Sequence, residues 1–328
     1  MDLAQLKSEA FATLQGLFSG TTAPHEDAQA QAMHPVGHVT GGADVAEIWH
    51  ALRRALPDGE RRDDIFLAGE NHPDPRAKFE RFGPLVACMG SYQGTFSAPL
   101  FGIPPSHGVV TLRYGEAHYF EDGRLRRSWL IWDLADLLLQ VGRWPLAAPL
   151  GAPGHWPGPK GGGGVLLDRA GPADALTRVF AMHDALLSFD GKSLDSMPMS
   201  DWWTENFMYY AGGGIGTTRG LAGFRAHHQI PFLHAFPDRY AIGHFIRIGD
   251  GDFAVTGGDV GATHTGEYLG MAPTGRPIRM SVMDFYRFDG DRIAENWLPI
   301  DILGLAAQMG VDVLARVAHH AGAPRRTL

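Results

Sequence analysis

Asp301 and Asp133 hold the same place in two matching stretches of the chain. Each follows an apolar, strand-like run and precedes an apolar helix start, Ile302-Leu303-Gly304-Leu305 in one case and Leu134-Ala135-Asp136-Leu137 in the other. A carboxylate in such surroundings is poorly solvated, which raises its pKa and makes it a stronger base at neutral pH. Acid/base work is therefore the chemistry to expect, with Asp301 and Asp133 as catalytic candidates. Aspartate is also a favoured helix N-cap, and the residues alone leave both roles open. Asp284 and Glu116 share a second matched position, one that suits a pocket wall or an ion pair with Arg287, Arg279 or Arg113. Two residues on, His118 stands where the other stretch has Tyr286; a histidine can shuttle protons near pH 7, whereas a tyrosine mainly donates a hydrogen bond. His264, in an apolar strand before Gly266, is the third catalytic candidate, with a hydrogen-bonded core histidine as its other reading. Tyr286, Asp284, Trp297, Tyr209, His228, His118, Glu116 and Trp129 make up the expected substrate-binding set. Tyr209 belongs to an aromatic stretch, Trp202 to Tyr210, that would line a pocket for a flat ligand or simply pack in a core.

Metal and nucleotide chemistry find no such support. There are sixteen histidines, but His227 and His228 are adjacent and cannot both face one site from a helix. Pro35 and Gly37 interrupt the spacing of His34 and His38, and there is no H-E-x-x-H or Cys/His cluster. Gly214-Ile215-Gly216-Thr217-Thr218-Arg219 lacks the last glycine of a dinucleotide fingerprint. No cofactor is expected.

The elements that must position these residues are written twice. Gly102 to Gly142 lies over Gly270 to Gly310 at a constant offset of 168 residues without a gap, with identities at Pro105/Pro273, Phe120/Phe288, Arg124/Arg292, Trp129/Trp297, Asp133/Asp301 and Gln140/Gln308. A feature present in both copies is more readily explained by a shared fold than by chemistry. Upstream the register shifts, and the first copy carries extra residues, assigned to Asn71 through Pro84 and Ser97 to Leu100. Both stretches are rich in turn residues and read as loop insertions.

In the first copy, Leu3 to Leu17 and Ala46 to Leu56 have helical spacing; Ile65 to Ala68, Leu85 to Gln93, Val109 to Phe120 and Leu125 to Trp132 read as strands. The second copy repeats this order. Ala175 to Leu187 and Leu221 to Phe236 read as helices; Tyr240 to Ile248, Phe253 to Glu267, Ile278 to Phe288 and Arg292 to Pro299 read as strands. Asp122-Gly123 and Asp289-Gly290 supply hairpin turns. Helices followed by a curled antiparallel sheet make an α+β domain. The expected boundaries are domain 1 over 1–145, a Pro/Gly-rich linker over 146–172, domain 2 over 173–318 and a tail over 319–328. The linker's proline half reads as stiff and its Gly161–Gly164 half as flexible.

Composition narrows the partners. A formal net charge of −8, with scattered Lys and Arg, argues against nucleic acid and anionic membrane surfaces. Cys88 is the single cysteine, which rules out an intrachain disulfide. The opening Met1–Lys7 lacks a basic region and a long apolar run, so no signal peptide and a cytoplasmic location are expected.

Gly266-Glu267-Tyr268-Leu269-Gly270-Met271-Ala272-Pro273-Thr274-Gly275-Arg276-Pro277, with Asp284-Phe285-Tyr286-Arg287 and Trp297-Leu298-Pro299-Ile300-Asp301, resembles the SnoaL-like polyketide cyclase group of the NTF2-like superfamily. The first copy resembles it through Gly102-Ile103-Pro104-Pro105-Ser106 and Trp129-Leu130-Ile131-Trp132-Asp133. The resemblance implies two NTF2-like cones, each a curved antiparallel sheet wrapped around N-terminal helices, with a pocket at the wide end. It further implies a cofactor-independent cyclase or isomerase acting on an apolar carbonyl compound. On that reading Asp301 removes an activated proton, and His264 or Tyr286 stabilises the enolate oxygen. The alternatives are a non-catalytic protein that binds an apolar small molecule, or an interaction module that uses the sheet's outer face. In this chain such pairing would occur between the two domains, with homodimerisation as a further form of it.

Overall fold

The computed structural model describes residues 2–76 and 82–322. Residues 77–81, part of the expected insertion, and 323–328 lie outside the described residues. The first half runs α1 (Leu3–Ser19), β1 (Gln29–Ala32), β2 (His38–Thr40), α2 (Gly42–Ala55), β3 (Glu60–Gly69), β4 (Leu85–Thr95), β5 (Val109–Glu121), β6 (Arg124–Trp132) and α3 (Leu134–Gln140). The second runs α4 (Asp174–Leu186), α5 (Met199–Trp202), β7 (Trp203–Ala211), β8 (Thr217–Arg219), α6 (Gly220–Phe224), α7 (Ile230–Ala235), β9 (Tyr240–Asp250), β10 (Phe253–Thr263), β11 (Pro277–Asp289), β12 (Arg292–Leu298), α8 (Ile302–Gln308) and α9 (Val313–Gly322). Helix α9 thus continues into the segment expected as a tail. The short strands β1, β2 and β8 carry too few residues to show a period, and the Trp202 to Tyr210 stretch is mostly strand β7.

The two sheets have one topology, β2-β1-β6-β5-β4-β3 and β8-β7-β12-β11-β10-β9. Register is repeated as well: Ala117 faces Trp129 as Phe285 faces Trp297, and the bulge after Tyr119 recurs after Arg287. The chain is therefore a tandem of two α+β domains with the same curved sheet. Asp122 and Gly123 both take positive φ, 49° and 74°, which matches the twist of the β5–β6 hairpin.

Strands β4 and β10 are buried along most of their length, because each has protein on both faces. Side chains alternate across a strand, so Val86 and Cys88 enter the first cone while Leu85, Ala87 and Met89 face outward. In β10, Ala254 points inward and Phe253 and Val255 outward. The outward residues of both sheets meet in one apolar layer that includes Ile65, Leu67, Trp129, Ile246, Met283, Phe285 and Trp297. A Cβ on Gly115 would lie 2.5 Å from Pro299 Cγ, which shows how closely the domains approach. The outer-face pairing expected of an interaction module is thus made within one chain.

Polar ties lock the pair. Lys7, buried in α1, donates to Asp250 Oδ2 of the second domain at 2.5 Å and to Arg169 O at 2.7 Å. The insertion after β3 lies along β9: Asn71 Nδ2 donates to Phe245 O, Arg247 N to Asn71 Oδ1, and His244 N to Asp74 Oδ2, all within 2.8 to 2.9 Å. The linker is docked rather than free. Phe66 N donates to Gly164 O at 2.7 Å, Val165 forms a parallel bridge to Phe66, and Arg113 covers the Trp156 ring. Glycine here permits close passage over Asp64, since a Cβ on Gly164 would sit 2.2 Å from Asp64 O. No single helix among the described residues is long and apolar enough to cross a membrane.

Candidate functional site

The second cone encloses a cavity of about 400 Å³. Asp284 and Tyr286 on β11 and Asn296 on β12 face it together, since alternate residues of one strand share a face and neighbours across the hairpin align. His183 reaches it from α4, and Tyr209 and Phe224 come from β7 and α6. His228 lies on a π-helical turn, Arg225–Gln229, between α6 and α7. Pro231, two residues beyond Gln229, has no N–H for the regular helical bond, a common reason for such irregular turns, which recur at functional sites. Leu187 and Tyr240, 61% and 59% exposed, mark the rim. Arg76, carried by the first domain's insertion, also lines the cavity.

Asp284 is the desolvated carboxyl of this set. Burial pushes its carboxyl up to about 7, although hydrogen bonds from Asn296 and Tyr286 favour the charged form. Asn296 Nδ2 donates to Asp284 Oδ1 at 3.1 Å, and no cation pairs with Asp284 among the described residues. Tyr286 O–H meets His183 Nε2 at 3.2 Å. His183 stacks on His244, centroids 5.3 Å apart. Burial, then the neighbouring His244 and arginines, hold His183 down to about 3, so it is neutral at pH 7. Tyr209 O–H lies 3.1 Å from His228 Nε2, and burial likewise keeps His228 neutral, at about 3.

The first cone has the same positions filled. Arg61 on β3 donates to Glu116 Oε2 at 2.7 Å, to Tyr92 O–H at 2.6 Å and to Asp63 Oδ1 at 2.9 Å. Glu116 also accepts from Tyr92 at 2.8 Å and from Trp132 Nε1 at 2.7 Å. Burial pushes the Glu116 carboxyl up, but Arg61 and His118 outweigh it and hold it down at about 2. His118, 3.3 Å from Glu116, is anchored on Ser128 at 2.9 Å. Cys88, Glu116 and His118 lie close enough to hold a cation, and the Arg61 guanidinium, 3.1 Å from Cys88 Sγ, already supplies that charge. The difference between the cones is local. Arg61 pairs with Tyr92 across β3 and β4; at the corresponding places in β9 and β10, Ala241 pairs with Val260. Both of these small residues line the open cavity.

Asp284, Tyr286, Tyr209 and His228 are brought together; the other expected residues are placed elsewhere. Asp301 caps α8, accepting from Gly304 N at 2.9 Å, and accepts across the domain boundary from His34 N at 2.9 Å. Asp133 does the mirror task, accepting from Asp136 N and from Gly213 N at 2.9 Å each. A Cβ on Gly213 would fall 2.2 Å from Asp136 N, so only glycine brings that amide to the carboxylate. Burial raises both carboxyls, Asp133 to about 6, as the apolar surroundings suggested, but their oxygens are engaged by backbone amides. His264 packs on Phe236 and bonds Thr274 at 3.1 Å, in the core. Trp297 and Trp129 lie on the outer face, stacked on Tyr210 and Phe245. Glu116 and His118 belong to the closed first cone. Sequence reasoning missed Asn296, His183, His244, Arg239 and Arg76. Strand parity would have found Asn296, because it shares a face with Asp284 across the hairpin while Trp297 cannot. A larger cleft of about 580 Å³ runs between the domains past Asp301 and Trp129. Both of its described carboxylates are engaged, Asp259 by Arg279 and Ser281 and Asp301 by the His34 and Gly304 amides.

Residues 182–309 match the model of the SnoaL-like polyketide cyclase family. Most of the second half of the chain is thus similar to a SnoaL-like domain, and the first half repeats its strand order and register. Among solved structures, the chain is similar to IdmH from Streptomyces antibioticus, with 25% identity over 40% of this chain and 99% of that one, TM-score 0.32. A SnoaL-like protein of Jannaschia sp. CCS1 shows 16% identity over 43% and 97%, TM-score 0.36. An NTF2-like protein of Burkholderia xenovorans LB400 shows 15% over 42% and 98%, TM-score 0.31. No curated protein matches the chain.

Proposed function

We propose that the second cone is a cofactor-independent active site of the cyclase or isomerase type, acting on an apolar, ring-bearing carbonyl compound. The carrying observation is Asp284, whose carboxyl, raised to about 7, faces an apolar cavity with no cationic partner among the described residues. A base with a pKa near the working pH is both largely available and strong enough to take a carbon-bound proton activated by an adjacent carbonyl. As that proton moves to Asp284, negative charge develops on the carbonyl oxygen. Once Asp284 is protonated, the Tyr286 hydroxyl, which accepts from neutral His183, can turn its one proton from Asp284 to that oxygen and stabilise it. The enolate carbon then attacks a second carbonyl carbon of the same substrate, whose π electrons pass to its oxygen and take up the proton held by Asp284, or it is itself reprotonated by Asp284. Proton transfer between carbon and carboxylate needs no electrons from a cofactor. Similarity of residues 182–309 to the polyketide cyclase model supports this class of substrate.

The test is solvent deuterium incorporation into an aromatic β-ketoester, followed by NMR. Asp284→Asn should bind the probe and lower enzyme-dependent exchange by about 10² to 10⁴ fold. Undiminished exchange in the variant would refute Asp284 as the base. Tight binding without exchange, equal in wild type and variant, would establish the second reading, a binding protein, which the capping roles of Asp301 and Asp133 favour.

A further inference from the structure

The cavity holds two arginines, Arg76 and Arg239, and they differ in electrostatic state. Arg76 is neutralised: its Nε and Nη2 each donate to the fully buried Asp74 carboxylate at 2.9 Å. Arg239, at the start of β9 beside the rim residue Tyr240, is half-buried and makes no ion pair among the described residues. Its guanidinium carbon lies 5.7 Å from the centroid of the Phe189 ring. Burial alone lowers its pKa, with no opposing carboxylate.

A partly desolvated guanidinium without a counter-ion is costly. The chain as a whole carries a net charge of −8, so the free cation is not part of a general basic surface. Among the described lining residues Asp284 is the only acidic group, and it is partly protonated at neutral pH. The cavity is therefore net positive inside an acidic protein. Aromatic and aliphatic walls, including Trp203, Phe232, Met280 and Leu298, surround that single free charge.

We infer that the cavity's ligand is a flat, apolar molecule bearing one anionic group, a carboxylate, which Arg239 holds at the rim while the ring system lies toward Asp284. This deepens the proposed function and rests on it, since it assigns the substrate class of the same cavity. A planar guanidinium is suited to a carboxylate, which it can hold by two parallel bonds. Anchoring one end of an elongated ligand would also fix which carbon reaches Asp284.

Two dyes with one aromatic body separate charge from shape: 1-anilinonaphthalene-8-sulfonate, which is anionic, and N-phenyl-1-naphthylamine, which is neutral. Binding is read by fluorescence titration with wild type, Arg239→Gln, Arg239→Lys and the cavity-blocking Ala241→Trp. Arg239→Gln should weaken the anionic dye by about 10 to 100 fold, the usual range for a charged hydrogen-bonded contact, and leave the neutral dye within about twofold. The neutral dye also reports that the variant is folded. Arg239→Lys should recover part of the loss, and Ala241→Trp should weaken both dyes. If Arg239→Gln weakens both dyes equally or neither, while Ala241→Trp still blocks both, the anion anchor is overturned and the apolar cavity stands. If Ala241→Trp changes neither, the dyes do not enter the cone, and the anchor falls together with the binding role of the cavity.

Discussion

Replacing Asp284 by Asn should stabilise the protein at alkaline pH and, on the proposed function, lower its deuterium exchange. The folded-state pKa is raised from 3.8 to about 7, so between those values the folded protein holds a proton that the unfolded chain has released. Stability then falls as pH rises through that window. Below about pH 4 both states are protonated and the group contributes nothing; above 7 the folded protein carries the full cost of a desolvated carboxylate. At 1.36 kcal/mol per pKa unit, three units set a ceiling of about 4 kcal/mol. The carboxylate is open to the cavity, and water there offsets part of the cost, so the expected difference is about 1–4 kcal/mol. Asparagine keeps an oxygen to accept from Asn296. Urea unfolding of wild type and Asp284→Asn at steps from pH 4 to 8 gives the difference in midpoint stability. It should be near zero at pH 4 and grow to a plateau just above pH 7. Asp133, raised to about 6, is common to both proteins, so its titration cancels. Parallel stability curves, offset by a constant, would show that Asp284 is not desolvated as described and would remove the basis of the proposed chemistry.

In the first cone, Arg61→Met should destabilise by about 3–5 kcal/mol, because it leaves Glu116 buried and unpaired; adding Glu116→Gln should restore much of that loss in the same chemical denaturation assay. At the domain boundary, Asp301→Ala should cost about 0.5–2 kcal/mol as a lost cap, and Asp301→Asn, whose one oxygen can accept from only one of the His34 and Gly304 amides, should lose part of that stability too. Both Asp301 variants should leave deuterium exchange at the second cone unchanged, and a selective loss of exchange in Asp301→Asn would return Asp301 to the catalytic role.

The duplication, the main strands and both hairpin turns were legible because each is a local pattern repeated at a fixed interval. Asp301 was harder. Apolar flanks predict a raised pKa, and burial does raise it, but they do not say whether the oxygens face a ligand or a backbone amide from another domain. The His34 amide that binds Asp301 is 267 residues away in sequence. Trp297 and Trp129 drew attention by being identical in the two copies, yet identity across copies marks the shared surface on which the two sheets meet. The insertion at Asn71 to Asp74 has the composition of a loop, and its bonds to β9 follow from domain packing. Gly161–Gly164 reads as flexible until the second domain and Phe66 are in place beside it.

What the two copies keep in common and what they change can be separated by register. Glu116 and Asp284 hold equivalent positions, as do His118 and Tyr286, and Ser128 and Asn296, so both cones direct a carboxylate and two polar neighbours inward. Their fates diverge two strands away. Arg61 and Tyr92 fill the first interior and satisfy Glu116 with a cation; Ala241 and Val260 leave the second interior open and Asp284 without one. A paired, low-pKa carboxylate is a poor base and an unpaired, high-pKa one a good base, so on the proposed function this one pair of differences governs both the space for a ligand and the basicity of the carboxylate beside it. The closed copy still serves the open one, since its insertion carries Asp74 to His244 and Arg76 to the cavity wall. In this arrangement the first domain packs on the second as the fixed half of a pair, its own interior closed by the bonds among Arg61, Tyr92 and Glu116.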